Sequence, residues 1–374
     1  DIGNGKYVKK VDAFQIWELI ANSAWRSAEP GLLFWDQFKT ESTSEGYEGH
    51  EILGVNPCVT GDTKILTDQG YDYISNLVGK LVNVWNGKEF SNVIPKVTGE
   101  NKDILKIKLS DGRELKCTKY HIWYIWKGYS QRGYSEAKEA KDLKVGDKIQ
   151  KYDFPVISFG KDLDKKQAYT QGFYCGDGTK NTNRISLYGE KINLIQYLSG
   201  DVSGKLEDLG NGLFRQNFLI NFDVKDNYFV PKNWSVNSRL DWLAGLFDAD
   251  GTITNDGDFQ LFSINKNFLF ELQDLLSTLG VNAKIVKGDD EGKQYLSDGK
   301  GGNKKYNCKE SNRILLGAKQ VELLKNLGLN TNRLNIKDIK PNRDASRFVK
   351  VESIEEQSEK ESKVYCFTEY KEHK

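Results

Sequence analysis

The spacing of apolar residues changes character along the chain, and each change marks a part. From Val11 to Trp25 apolar side chains recur three and four residues apart, which predicts an amphipathic helix; the chain then turns at Glu29-Pro30-Gly31 into the apolar run Leu32-Leu-Phe-Trp. Past Cys58 the period shortens. Thr63-Lys-Ile-Leu-Thr, Leu81-Val-Asn-Val-Trp, Ile104-Leu-Lys-Ile-Lys-Leu and Ile122-Trp-Tyr-Ile-Trp are short β-branched or aromatic runs separated by Asp68-Gln-Gly, Asn86-Gly87 and Asp111-Gly112, the pattern of strands joined by tight turns. This all-β stretch ends near Val145-Gly-Asp-Lys-Ile, and Asp153 to Lys166 reads as a linker. From Lys166 to about Leu329 helical patterns alternate with strand-like ones. Phe268-Leu-Phe-Glu-Leu-Gln-Asp-Leu-Leu-Ser-Thr-Leu-Gly280 is amphipathic and closed by glycine, Ala283-Lys-Ile-Val follows as a strand, and Gln320-Val-Glu-Leu-Leu-Lys-Asn-Leu-Gly328 repeats helix then glycine. After Asn342 the β texture returns in Arg347-Phe-Val-Lys-Val and Val364-Tyr-Cys-Phe. An α/β insert therefore interrupts one β domain.

Within the insert one pattern occurs twice. Tyr169-Thr-Gln-Gly-Phe-Tyr-Cys-Gly-Asp177-Gly178 and Leu243-Ala-Gly-Leu-Phe-Asp-Ala-Asp250-Gly251 both carry small residues four apart followed by Asp-Gly. On a helix such positions share a face, so Gly172 with Gly176, and Gly245 with Ala249, each predict a flat stripe where two backbones approach. Packed stripe to stripe, the helices end together, with Asp177 beside Asp250 and with Gly178 and Gly251 in the left-handed conformation that commonly closes a helix. Two carboxylates at one interface suit a divalent metal; the plainer alternative is two core helices with ordinary Asp-Gly caps. The second copy is one step from the LAGLIDADG nonapeptide, and residues 156–342 resemble a two-repeat LAGLIDADG homing endonuclease. The resemblance implies that Asp177 and Asp250 hold Mg2+ for cleavage of double-stranded DNA, one strand per half. Related proteins often carry a Lys three residues before the Pro that precedes the second motif. Here that position, before Pro231, is Tyr228, with Lys225 and Lys232 near, which leaves open a degenerate domain that binds DNA without cutting it.

Composition narrows the setting. With 374 residues, 38% hydrophobic and 12% aromatic, the chain is long enough for two or three folded domains. No apolar run approaches the ~20 residues of a membrane span, and no signal-peptide pattern opens the chain. The cysteines at 58, 117, 175, 308 and 366 show no C-x-x-C spacing, which argues against structural zinc and a disulfide scaffold and fits a cytoplasmic protein; Cys117, Cys175 and Cys308 read as small core residues. Because 54 basic residues balance 53 acidic ones, nucleic-acid binding has to rest on local patches such as Lys284, Lys287, Lys304, Lys305, Lys309 and Arg313. The Gly-, Asp- and Lys-rich run from Gly288 to Lys305 reads equally as a solvated loop. The chain contains no methionine, which suggests an internal segment of a longer polypeptide.

The interrupted β domain has chemistry of its own. It begins Cys58-Val-Thr-Gly-Asp-Thr-Lys-Ile-Leu-Thr, continues through Gly112-Arg-Glu-Leu-Lys-Cys-Thr118-Lys-Tyr-His121, and closes with Val364-Tyr-Cys366-Phe-Thr-Glu-Tyr-Lys-Glu-His373. A thiol can attack the carbonyl before it and exchange an amide for a thioester, and a Thr-x-x-His turn brings a hydroxyl and an imidazole to the departing amine. These blocks, in this order and with an endonuclease between the second and third, resemble an intein of the Hedgehog/intein (Hint) fold from Cys58 to the last residue. The resemblance implies an N–S acyl shift at the Pro57–Cys58 bond, with Cys58 as nucleophile, His121 as the acid and Thr118 as its helper. His373 falls in the closing block, and Cys366 stands where the family more often has an Asp that assists the first step. Inteins end in Asn, usually after His, whereas this chain stops at His373-Lys374, so the last segment is expected either on a separate C-terminal intein fragment or beyond a truncation.

Residues 1–57 read as flanking host sequence. Ser27-Ala-Glu-Pro-Gly-Leu-Leu-Phe-Trp-Asp and Asn56-Pro57 before a cysteine resemble a ribonucleotide reductase large subunit, most similar to the adenosylcobalamin-dependent class. The combined expectation is a multidomain chain. A short, mainly helical host segment (1–57) precedes an all-β splicing domain in two pieces (58–155 and 343–374), interrupted by an α/β endonuclease domain (156–342). Its expected partner is DNA at the intein-less host gene site, with no membrane. A third reading, a reductase subunit with an ordinary insertion, makes the blocks at Cys58 and His121 a coincidence.

Overall fold

The computed structural model describes residues 12–27, 58–128, 132–199, 201–210, 212–219, 226–297, 303–337, 347–358, 360, 363–369 and 371. Pro57, Lys225, His373 and the expected host sequence from 28 to 57 lie outside them. The chain divides into two units, 1–55 and 56–374. In the first, the apolar spacing gives helix α1 (Ala13–Ser27), opened by Asp12, whose Oδ1 accepts the Phe14 amide at 2.9 Å.

The second unit starts with short strands: β1 (Val59–Thr60), β2 (Lys64–Thr67), β3 (Gly70–Tyr73), β4 (Val82–Trp85), β5 (Phe90–Val93), β6 (Lys96–Gly99), β7 (Ile104–Leu109), β8 (Glu114–Thr118), β9 (Ile122–Gly128), β10 (Gly133–Glu139) and β11 (Lys148–Gln150). The turns fall at the expected glycines. Gly70, Gly87 and Gly112 have φ of 94°, 100° and 90°, which a residue with a Cβ adopts only with strain.

The insert is built on two helices, α2 (Lys165–Asp177) and α3 (Val236–Asp250). Asp164 caps the first by accepting the Gln167 amide, and Ser235 caps the second by accepting that of Ser238. They meet on the predicted stripes: a Cβ on Gly172 would stand 1.8 Å from the Trp242 carbonyl oxygen, and one on Gly245 1.9 Å from that of Tyr169. Each helix carries its own sheet. α2 leads to β12 (Arg184–Tyr188), β13 (Asp201–Asp208) and β14 (Leu213–Leu219), in the order β12-β14-β13. α3 leads to β15 (Thr252–Ile253), β16 (Phe259–Ser263), helix α4 (Lys266–Ser277), β17 (Lys284–Lys287), the hairpin β18 (Gly292–Ser297) and β19 (Asn303–Cys308), β20 (Asn312–Leu316) and helix α5 (Ala318–Leu327). The second sheet runs β15-β16-β20-β17. Fully buried Phe173, Trp242, Leu243, Phe247, Phe259 and Leu276 join both halves in one core, each side chain contributing about 1.5–3 kcal/mol.

Three expectations change. Gly178 and Gly251 are extended, with φ of −76° at both, instead of left-handed. Space is what those positions need: a Cβ at Gly178 would meet the Tyr174 carbonyl oxygen at 2.4 Å, and one at Gly251 the Phe259 ring at 2.4 Å. The left-handed glycines close the other helices instead, Gly280 (φ 77°) after α4 and Gly328 (φ 114°) after α5. The run from 288 to 305 holds β18 and the first three residues of β19, and Cys308, at the end of that hairpin, is half-exposed where a core residue was expected.

After the insert the chain returns to the first sheet. β21 (Phe348–Glu356) pairs between β11 and β7, and β22 (Val364–Cys366) between β1 and β6, in the order β10-β9-β11-β21-β7-β8-β1-β22-β6. A second, four-stranded sheet runs β3-β2-β4-β5. The insert also touches the β module directly. The Asp111 carbonyl accepts from the Ile285 amide (2.9 Å) and from Gln273 Nε2 (2.8 Å), and Lys64 Nζ lies 2.5 Å from the Asp274 carboxylate.

The helix contact yields a quantitative expectation. Gly245→Ala gains about 1 kcal/mol of helix propensity, yet overpacking of a tight core costs about 1–3 kcal/mol, and here the obstacle is backbone that cannot rotate away. Net destabilisation, seen as a lower urea midpoint, is expected; an unchanged midpoint would mean that the helices do not meet at this residue.

Candidate active sites

Cys58 stands at the start of the shortest interior strand. Val59 pairs with Cys117 on one side and Tyr365 on the other, so β1 is fixed from both flanks. The Cys58 carbonyl accepts the Thr118 amide at 2.9 Å, and the Thr118 hydroxyl lies 3.4 Å from both the carbonyl oxygen and the amide nitrogen of Cys58. One threonine therefore faces both ends of the Cys58 backbone. The Thr118–His121 turn is closed by the His121 amide donating to the Thr118 carbonyl at 3.0 Å, and the His121 carbonyl is held by the Ala140 amide at 2.8 Å. The His121 ring lies edge-on to Trp123, and its Nδ1 is buried with no hydrogen-bond partner among the described residues. Burial pulls its pKa down to about 4, so the imidazole is neutral at pH 7.

The thiol lies in an apolar cluster with Ile104 and Val364, against which Cys366 also packs. Cys58 Sγ is 3.0 Å from Thr98 Oγ1. Burial raises the Cys58 pKa, opposed by the Thr98 hydroxyl and then by the charge of Lys102. Cys366 is pushed up to about 12 by burial and by the neighbouring Cys58, and its thiol donates to the Phe367 carbonyl at 3.4 Å. A protonated thiol thus occupies the place where the resemblance suggests a carboxylate. Thr98 lies outside the three sequence blocks, and nothing in its local sequence signals the contact.

At the second site α2 and α3 end side by side. A Cβ on Gly176 would lie 2.9 Å from Asp250 Oδ2, which measures how near the two Asp-Gly ends are. Lys191, from the 3-10 segment Gly189–Tyr197, places its Nζ 2.9 and 2.7 Å from the Asp177 carboxylate oxygens and 4.0 Å from Asp250 Oδ1. Burial pushes the Asp177 pKa up to about 6, opposed by Lys191 and reinforced by Asp250; burial raises Asp250 as well, opposed by Lys191 and Arg333. Asp177 is 16% exposed and Asp250 44%, so Asp250 is the more open of the two. The cation at the pair is the Lys191 ammonium; the carboxylates are hard oxygen donors of the kind that suit Mg2+, and among the described residues no third His, Cys, Asp or Glu joins them.

Sequence reasoning also missed the support beneath this pair. Buried Asp248 accepts the amides of Asn332, Arg333 and Leu334 and the Tyr169 hydroxyl. Arg333 in turn donates to the carbonyls of Phe247, Asp248 and Gly251, closing the end of α3. Tyr228 packs on Phe268 with ring centroids 5.7 Å apart, and Lys232 pairs with Glu271 at 3.1 Å. Of the candidate basic patch, Arg313 and Lys284 alternate with buried Ile314 and Ile285 on the outward face of the second sheet, where Arg313 stacks on Phe262. Lys287 is paired with Asp290 and Glu310.

Residues 237–297, from the second Asp-Gly helix through β18, match the family model of the LAGLIDADG-like domain. The chain carries a LAGLIDADG-like domain. Among curated proteins it is similar to the ribonucleoside-diphosphate reductase large subunit of Invertebrate iridescent virus 6, 35% identical over 381 residues that cover 97% of this chain and 39% of that one. It is also similar to the ribonucleoside-diphosphate reductase NrdEB subunit alpha of Bacillus subtilis (strain 168), 25% identical over 360 residues, 82% of this chain and 33% of that one. The chain thus spans well under half the length of these relatives. Among solved structures, the gp41-1 intein is similar at 26% identity over 27% of this chain and 70% of that one, with a TM-score of 0.20. I-DmoI in complex with DNA and Ca is similar at 13% identity over 46% and 94%, with a TM-score of 0.28.

His121 sets a pH signature. Its value of about 4 lies below the 6.5 of the unfolded chain, so the unfolded state binds the extra proton between those limits. Stability contributed by the neutral ring is present above about pH 6.5 and is lost as pH falls toward about 4, by on the order of 3 kcal/mol. His121→Gln is expected to flatten that part of the stability–pH curve measured by denaturant unfolding; parallel curves for the two proteins would contradict the sealed ring.

Proposed function

We propose that the residues from Cys58 onward form an intein, set in a ribonucleotide reductase large subunit and carrying a DNA endonuclease. The observation that supports it most is the Cys58 backbone facing Thr118 at both ends, in a sheet closed only by the strands that follow the insert. In the first step Cys58 Sγ attacks the carbonyl carbon of Pro57. The S–C bond forms, the C–N bond breaks, and the thiol proton ends on the Cys58 amine, leaving a thioester. Thr118 Oγ1 lies beside the nitrogen that must leave. His121, neutral and with an unpartnered Nδ1, is the group that passes the proton. Cys366 stays protonated beside the nucleophile and adds no negative charge to oppose a thiolate.

In the inserted domain Asp177 and Asp250 are the residues that would hold Mg2+, which when bound supplies an activated water and neutralises charge on a transferring phosphate. Lys191 keeps the two carboxylates together and puts an ammonium at the site, a charge that the Tyr228 position does not provide. Arg313 and Lys284 face outward for phosphate contacts. A second reading, a domain that binds DNA without cutting it, draws on the same ion pair: Lys191 already satisfies Asp177 and has to yield for a metal to enter.

Two measurements test these readings. Incubation with a small thiol is expected to release residues 1–57 by cleavage before Cys58, seen by mass spectrometry, and Cys58→Ala is expected to abolish it; persistence in the variant would favour an ordinary insertion. DNA carrying the uninterrupted host site is expected to be cut in Mg2+ by the native chain and not by Asp250→Asn. Binding without cutting by both proteins would select the second reading.

A further inference from the structure

We propose that Thr98 activates the Cys58 thiol, its hydroxyl turning from the Val364 carbonyl to the sulfur as the thiol gives up its proton. The reaction it serves rests on the intein reading; the contact itself does not. β22 pairs with β6 through Val364↔Gly99 and then Tyr365↔Val97, so one step along β22 spans two along β6 and Thr98 is the residue left without a partner opposite. A bulge of this kind re-aims a side chain. Here it brings Thr98 Oγ1 to 3.0 Å from Cys58 Sγ, while the bond to the Val364 carbonyl is long, at 3.4 Å. In the resting state the hydroxyl donates to that carbonyl and accepts the S–H. When the proton leaves for the amine, the same hydroxyl rotates and donates to the sulfur, with no net gain or loss of atoms.

The need for such a donor follows from the surroundings. Ile104 and Val364 pack on the sulfur, and burial there opposes a thiolate. The groups that face Cys58 include the Lys102 ammonium beyond β6, the protonated Cys366 thiol on β22 and the Thr118 hydroxyl at the end of β8. Thr118 is engaged with the Cys58 backbone, whereas Thr98 meets the sulfur itself, with Lys102 acting at longer range.

Thr98→Val keeps the shape and removes the hydroxyl, whereas Thr98→Ser keeps the hydroxyl. In the full chain, iodoacetamide alkylation of the Cys58 peptide, followed by mass spectrometry from about pH 6 to about pH 10, reads the thiolate directly. Thr98→Val is expected to slow alkylation about tenfold near pH 8, which is about one unit in the pH midpoint, and to slow thiol-induced cleavage similarly, with Thr98→Ser close to the native chain. An unchanged midpoint in Thr98→Val overturns the proposal. So does an equal loss in both variants together with a lowered urea midpoint, since a role in packing alone gives that result. If the native chain is not cleaved by thiol while the midpoint still moves in Thr98→Val, the activating contact stands and the intein reading falls.

Discussion

The β module closes on the pairing of a two-residue strand with neighbours from opposite sides of the insert. β1 has β8 on one flank and β22 on the other, and Cys58 precedes it directly. The strands on either side of the insert are paired as well, with Lys148 opposite Lys350, Ile149 opposite Val349 and Gln150 opposite Phe348. The whole insert, with the LAGLIDADG-like domain in it, is therefore the connection of a β11–β21 hairpin. An unstructured loop of about 200 residues in place of a tight turn would cost roughly 3 kcal/mol in closure entropy. A folded domain whose two ends already lie together avoids most of that cost. This is why so large an insert is compatible with a sheet that needs the chain on both sides of it.

Both candidate sites work against burial in the same sense. At the first, burial raises the thiols and lowers the imidazole; at the second it raises both carboxylates, and in every case the neutral form is favoured. Reactivity then depends on the partner supplied to the charged form. The carboxylate pair receives an ammonium from Lys191, and the sulfur receives the Thr98 hydroxyl with Lys102 behind it. Each of these partners comes from a segment next to the motif, so the motif residues alone do not specify the chemistry.

That division also governs what the sequence discloses. The helix pair is legible because residues four apart share a face whatever the rest of the fold, and Gly172 and Gly245 meet the opposing backbone as their spacing implies. The reason for Gly178 and Gly251 is not legible, because a need for positive φ and a need for space both select glycine. Lys191, Arg333 and Thr98 stay hidden for a different reason. Their roles depend on a 3-10 turn, on a strap laid over the end of α3 and on a bulge between strands, and no local spacing encodes these. The β texture likewise announces strands at 347–351 and 364–367 without revealing that they enter the middle of the first sheet.

The contact between insert and β module bears on which of them supports the other. The Asp111–Gly112 turn joins β7 to β8, and β8 runs from there to Thr118, so a five-residue strand separates the insert's foothold from the Cys58 site. Losing the bonds from Ile285 and Gln273 to Asp111 would cost about 1 kcal/mol each. β8, however, keeps its ladder to β7 from Lys108↔Glu114 to Ile104↔Thr118, and its bond to β1 at Cys117. Those pairings outnumber the insert's bonds and lie closer to Thr118, so the position of Thr118 is set within the sheet. For α4 and β17 the balance is reversed: the Asp111 carbonyl accepts Gln273 of the helix and Ile285 of the strand at once, and tethers one to the other. The insert therefore leans on the first sheet more than the sheet leans on the insert, which is the order expected of a domain housed in the connection of another.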